Sequence, residues 1–278
     1  MSSFVAAALQ LNSGDDVATN IAQVEPLVRE AARQKATLIC LPENAFYMRR
    51  EGSAAMVDVP TAQHAGVIAM QALAANLKVW IAIGSIRARE AGMEKPYNRS
   101  VLIDPFGAIF LQYDKIHLFD VTTPDGKEYR ESSQAVAGSS PVLARTPFAH
   151  VGLSICYDLR FPEHYRALAM AGAEVLLVPS AFTRPTGAAH WHTLLRARAI
   201  ENACYVIAAA QCGTHPGGRE TYGHSLIIDP WGEIVAEASA NTPGIVTATI
   251  DQARVAQVRS QIPVLSHVRP ITDVVVAE

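Results

Sequence analysis

Apolar runs of strand length alternate along the chain with stretches whose apolar residues recur at helical spacing. Phe4 to Leu11 reads as a buried strand, and between Asp15 and Gln34 the positions Val17, Ile21, Val24, Leu27, Val28 and Ala31 share one helical face. Thr37 to Leu41 reads as a second strand, halted by Pro42, with a helix over Ala65 to Asn76 and a strand over Val79 to Ile83 beyond it. Val101 to Ile103, Asp104-Pro105-Phe106-Gly107 and Ile109 to Gln112 read as strand, turn and strand, because proline and glycine supply the turn dihedrals. That is more strand than a plain βαβ ladder holds.

The second half repeats this order. ATLICLPENAF at 36 to 46 is echoed by AEVLLVPSAF at 173 to 182, VWIAIGS at 79 to 85 by YVIAAAQ at 205 to 211, and VLIDPFGAIFLQ at 101 to 112 by LIIDPWGEIVAE at 226 to 237. One such turn would be commonplace, but three segments in the same order imply a duplicated α/β unit. Each half has a sheet with amphipathic helices to cover one face, so the economical packing sets sheet on sheet inside and helices outside.

Composition narrows the class. With 278 residues, half of them hydrophobic, the chain can bury a large core as one domain spanning 1–278. A net charge of -3 offers no basic face for phosphates or anionic membranes, so neither nucleic acid nor a membrane is an expected partner. No apolar run reaches the roughly 18 residues of a membrane span, and MSSFVAAALQLNSGDD has no basic n-region, which reads as cytoplasmic. Four cysteines in a chain this long make no disulfide framework and no paired CxxC zinc site, so they are expected as reduced thiols.

Candidate chemistry gathers where polar residues follow apolar strands, the usual place for functional groups in α/β sheets. The strand Val151 to Ile155 ends in Cys156, with a helix opening near Pro162. A thiol on such a strand-to-helix turn sits among backbone N–H groups expected to lower its pKa and to receive an oxyanion. Cys40, Cys204 and Cys212 lie in or beside apolar runs and read as core. A histidine base finds little support: His117 and His224 fall at loops or strand ends, and no spacing singles out any of the nine. Glu43 after LICLP and Lys115 after FLQYD stand past strand ends as Cys156 does.

LPENAF, YDKIHLFD and GLSICYDLRFPE together resemble the nitrilase, or carbon-nitrogen hydrolase, superfamily, over about Phe4 to Arg269. The resemblance implies a four-layer αββα sandwich with internal pseudo-two-fold symmetry and a catalytic Glu43, Lys115 and Cys156. A further glutamate that supports the lysine would fall on Glu131, with Glu128 one turn away as the alternative. Cys156-Tyr157-Asp158 departs from the Cys-Trp-Glu of nitrile-cleaving members and resembles the amidase branch containing ω-amidase and deaminated glutathione amidase, with AAQCGTH nearer the latter.

The implied substrate is a small linear amide, cleaved through a cysteine thioester with loss of ammonia and without metal or organic cofactor. Glu43 is expected to act as base and then acid, a task suited by a raised pKa. Lys115 and the Tyr157 N–H would hold the oxyanion. Arg160 is expected near the sulfur to grip a substrate carboxylate, Phe182 to wall the pocket and Thr186 to donate a hydrogen bond, whereas the reach of Arg184 and Arg219 stays open. Carbamoylase, nitrilase, acyltransferase and idle-scaffold readings remain alternatives. The helix over Asp251 to Ser260 and the proline-punctuated arm IPVLSHVRP suggest a homodimer or larger assembly.

Overall fold

The computed structural model describes residues 3–50, 58–271 and 273–276. The first half runs β1 (Ser3–Gln10), α1 (Val17–Arg33), β2 (Ala36–Cys40), α2 (Ala65–Leu77), β3 (Trp80–Ala88), β4 (Tyr97–Ile103) and β5 (Ile109–Asp114). A small hairpin follows, β6 (Asp120–Thr122) with β7 (Glu128–Arg130), then β8 (Val142–Arg145). The second half runs β9 (His150–Leu153), α3 (Pro162–Met170), β10 (Val175–Leu177), α4 (Arg184–Asn202), β11 (Tyr205–Ala208), the hairpin β12 (Cys212–Thr214) and β13 (Glu220–Tyr222), β14 (Leu226–Ile228) and β15 (Ile234–Glu237). β16 (Gly244–Asp251) and α5 (Gln252–Gln261) complete the regular elements.

Two six-stranded mixed sheets result, in the orders β16-β1-β2-β3-β4-β5 and β15-β14-β11-β10-β9-β8. In the first, β1, β2 and β3 are parallel, β4 and β5 antiparallel, and β16 closes the other edge antiparallel to β1. The second repeats this with β9, β10 and β11 parallel, β14 and β15 antiparallel, and β8 at the far edge. The duplication read in the sequence is thus a duplication of topology. Even the turns use the same bonds: Asp104 Oδ1 accepts from the Phe106 and Ala108 amides at 2.8 and 2.9 Å, and Asp229 Oδ1 from those of Trp231 and Glu233 at 2.9 and 2.9 Å.

Strand alternation builds the layers. Ala6, Ala8, Leu38, Cys40, Trp80, Ala82 and Leu102 point into a core shared with Val151, Leu153, Val175 and Leu177 of the other sheet. Their neighbours Ala7, Leu9, Ile39, Leu41, Ile81 and Val101 pack under α1 and α2, where Val24, Val28, Met70 and Leu73 are buried. Asp16 caps α1 by accepting from the Thr19 amide at 2.8 Å, and Pro162 opens α3 where its missing N–H costs nothing. A Cβ on Gly84 of β3 would sit 2.2 Å from the Leu41 carbonyl oxygen, so only glycine lets β3 pass the end of β2 just before Glu43.

The observed elements depart from the sequence reading at β8 and β16 and at the hairpins β6–β7 and β12–β13, all absent from it. Most of β16 is only half-buried, so GIVTATID lacks a continuous apolar signal. The arm after α5 begins with a short 3-10 turn at Val264–His267 and continues to exposed Ile271 and Val274 to Val276. Among the described residues no helix is long and apolar enough to cross a membrane, and all four cysteines are buried and unpaired.

Candidate active site

Because β5 runs parallel to β2, the residues after both strands emerge at one end of the first sheet. The extensions of β1 and β11 pair in parallel at Leu11 and Gln211, which brings the corresponding end of the second sheet to the same place. A cavity of about 250 Å³ opens there, lined among others by Glu43, Lys115, Glu131, Cys156, Tyr157 and Phe182.

Lys115 Nζ donates to Glu43 Oε1 and Glu131 Oε2, each at 2.9 Å, with the lysine 1% exposed. Glu131, and not Glu128, therefore meets the lysine; Glu128 is exposed at the cavity edge and pairs with Arg130 at 3.4 Å. Glu43 Oε2 accepts from the Ala181 amide at 3.0 Å, and its carboxylate faces the Cys156 thiol closely enough to shift the thiol pKa. The Cys156 amide donates to the Pro179 carbonyl at 2.9 Å, and its φ of 49° lies in the left-handed region that a non-glycine residue enters only under constraint. That is the sharp strand-to-helix turn expected from the sequence.

Electrostatics correct two expectations. The thiol pKa is raised rather than lowered, first by burial and then by the facing Glu43 carboxylate, which outweigh Lys115 and the Ala181 amide. The Glu43 pKa is lowered rather than raised: burial opposes its charge, but the contacting Lys115 ammonium prevails. Burial also opposes charge on Lys115, yet Glu131 and Glu43 hold its pKa well above the ordinary lysine value. The resting site is therefore thiol, carboxylate and ammonium.

The sequence reading passed over three groups. Asn98 of β4 donates from Nδ2 to Glu43 Oε1 at 3.0 Å and to Glu131 Oε1 at 2.8 Å, tying both carboxylates together. Asp158 is fully buried and accepts from the Ile155 amide at 2.8 Å, the Tyr113 hydroxyl at 2.7 Å and the His117 amide at 3.1 Å, with His117 Nδ1 at 2.7 Å. It thereby pins the cysteine turn to the segment that carries Lys115. His117 stacks on Phe161 with centroids 3.6 Å apart, which gives this loop histidine a structural place. The third group is the Ala181 amide, which a sequence cannot display.

Of the residues expected around substrate, Tyr157, Phe182 and Thr186 line the cavity, Thr186 Oγ1 lying 2.8 Å from Thr183 Oγ1. Arg160 does not line it. Its guanidinium lies 5.4 Å from the Phe182 ring centroid, 6.0 Å from that of Tyr157 and 3.3 Å from His190 Nδ1. Residue spacing gave its height on the turn but not its outward direction. Arg219 does line the cavity: Nη2 donates to the Ala181 carbonyl at 3.0 Å, the guanidinium lies 5.6 Å from the Tyr129 centroid, and buried Nε has no hydrogen-bond partner. Arg184 points away to Glu220 and Asn241 at 3.5 and 3.1 Å.

Comparison with known proteins gives the chain's relatives. The carbon-nitrogen hydrolase family profile matches residues 5–260. The chain is 46% identical over 272 residues to a deaminated glutathione amidase of Synechocystis sp., covering 96% of this chain and 98% of that one. Among solved structures, the NitFhit protein of C. elegans superposes with a TM-score of 0.85 at 35% identity, over 97% of this chain and 66% of that one. Nit3 of Saccharomyces cerevisiae, a member of branch 10 of the nitrilase superfamily, superposes with a TM-score of 0.84 at 28% identity, over 94% of both chains.

Proposed function

The chain belongs to the carbon-nitrogen hydrolase family, and on that premise we propose that it hydrolyses a deaminated glutathione or a closely related keto-acid amide, with Cys156 as nucleophile, Glu43 as general base and Lys115 as oxyanion donor. The observation that carries this reading is the convergence of Glu43, Lys115 and Cys156 on one cavity, with the Lys115 ammonium 2.9 Å from Glu43 Oε1.

The Glu43 carboxylate takes the thiol proton while sulfur bonds to the amide carbon. The oxyanion so formed is stabilised by Lys115 and by the Tyr157 N–H. Glu43 then returns the proton to nitrogen, the C–N bond breaks and a thioester remains. Water attacks that thioester as Glu43 removes its proton, sulfur leaves and recovers the proton, and the carboxylic acid departs. A primary amide releases ammonia in the first stage. Deaminated glutathione carries its amide nitrogens on further carbon, so there the first leaving group is an amine.

Glu131 and Asn98 fix Lys115 and Glu43 in place, Phe182 and Thr186 bound the acyl group, and the Arg219 guanidinium at the cavity wall offers positive charge to a substrate carboxylate. Four unpaired cysteines support a reducing, cytoplasmic setting. The exposed apolar arm at Val274 to Val276, with Met170 and Ile200 exposed on α3 and α4, supports assembly into at least a homodimer, which light scattering would measure.

The deciding experiment incubates purified protein with deaminated glutathione, α-ketoglutaramate, an N-carbamoyl amino acid and a simple nitrile, measuring both amine and ammonia. Deaminated glutathione is expected to turn over fastest, with Cys156→Ala and Glu43→Gln each at least about a hundredfold slower. Turnover of the nitrile alone, or undiminished rates in Cys156→Ala, would overturn the reading.

A further inference from the structure

Joined to Phe182 through Trp191, and outside the cavity lining, lies a second group of side chains that the proposed hydrolysis does not use. His192 comes from α4, His224 from the residues just before β14, and Glu237 from the end of β15. Glu237 Oε1 lies 2.9 Å from His192 Nε2 and 2.7 Å from His224 Nδ1, and the three candidate donor atoms lie within 4.8 Å of one another. We propose that His192, His224 and Glu237 form a surface site for a divalent transition-metal ion, Zn²⁺ foremost.

The donor set decides the class of ion. Two imidazole nitrogens and one carboxylate oxygen suit Zn²⁺ and its borderline neighbours, whereas Mg²⁺ and Ca²⁺ favour oxygen alone. An ion drawing in all three side chains takes the place of the protons that now join each imidazole to the carboxylate. The side chains are 32%, 23% and 34% exposed, so water completes the coordination from the open side.

The backbone around the group is held on both sides. Gly223 and His224 both have positive φ, 73° and 55°, a turn that aims the imidazole at Glu237 rather than along the strand. The His224 carbonyl accepts from Trp191 Nε1 at 2.9 Å, and the His224 ring lies 4.6 Å from that of Tyr222. Trp191 adjoins His192 and packs its ring 4.9 Å from Phe182, so an ion here clamps α4 to the β14–β15 hairpin.

A similar trio elsewhere lacks this capacity. His117, Asp158 and His164 also approach one another, but Asp158 is saturated by the Ile155 and His117 amides, the Tyr113 hydroxyl and His117 Nδ1. His164 Nε2 is in turn held to the Leu153 carbonyl at 2.9 Å. A cation there would have to break the buried network around Asp158, which is fully buried.

The test uses the full chain as Cys156→Ala, which removes thiolate binding in the cavity, stripped with EDTA and titrated with ZnCl₂ at neutral pH by calorimetry. One equivalent is expected to bind and to raise the melting temperature. His192→Ala and His224→Asn should each weaken binding by about tenfold or more and abolish the thermal shift. Asparagine is chosen at 224 because it tolerates the left-handed backbone. If either variant fails to fold by circular dichroism, Glu237→Gln replaces it with the same expectation. No heat and no thermal shift at about 100 µM Zn²⁺, or unchanged binding in the folded variants, overturns the proposal.

Discussion

Asn98 Nδ2 donates to Glu43 Oε1 at 3.0 Å while the same nitrogen reaches Glu131 Oε1 at 2.8 Å. One amide thus bridges two carboxylates that share a single lysine, and it orients the Glu43 carboxylate proposed to take the thiol proton. Asn98→Asp keeps the shape but adds a third carboxylate, and like charges raise one another's pKa. The expected result is a fall in kcat of about a hundredfold and an acid limb of the kcat/KM profile moved up by about one pH unit or more. A merely structural Asn98 would leave that limb in place.

Two charges and a thiol at the proposed centre fix a pH window for the wild-type protein. Glu43 is held below its ordinary value, so its contribution to stability is present above about pH 4.3 and is lost as pH falls through the lowered folded value. Lys115 is held above its ordinary value, so its contribution is complete below about pH 10.4 and is lost as pH rises through the raised value. With the thiol pKa also raised, none of the three titrates near neutrality. A flat kcat/KM between about pH 5 and 10 is expected, and a thiol inflection near pH 8.5 in the rate of Cys156 alkylation would contradict it.

Asp158→Asn tests the pin between the cysteine turn and the lysine segment. The amide nitrogen cannot accept, so donors that now share the carboxylate lose a partner, at a cost of about 2 kcal/mol or more in urea unfolding at pH 7. Burial opposes the Asp158 charge, but His117 and the other donors lower its pKa. The wild-type advantage is therefore present above about pH 3.9 and narrows as acidification passes the lowered folded value. Paired urea titrations at pH 7 and pH 3 measure the difference.

Arg219 rather than Arg160 faces the cavity, and this distinguishes two substrate classes. Arg219→Met is expected to raise KM for a dicarboxylate keto-amide by about tenfold or more, with a smaller effect on a neutral amide such as propionamide. Arg160→Met, which removes a cation over the Phe182 ring, should change the two KM values equally. Steady-state kinetics on both substrates separates these outcomes.

How much was legible beforehand follows from how each feature is encoded. The duplicated α/β halves and the positions of Glu43, Lys115 and Cys156 follow from local patterns: apolar runs, their punctuation by Pro42 and Asp104-Pro105-Phe106-Gly107, and polar residues just past strand ends. A strand alternates faces with period two and ends where its hydrogen bonds end, so such information is contiguous in the chain. β16 escaped because its edge position leaves little apolar signal, and Arg160 was misplaced because sequence fixes a residue's height on a turn but not the rotamer that aims it. The sense of the pKa shifts, the Asn98 bridge, the Asp158 pin and the facing of Arg219 were decided only when the sheets packed. They depend on distances between segments far apart in the chain, and on burial, which makes each charge's energy a property of its neighbours rather than of its residue type.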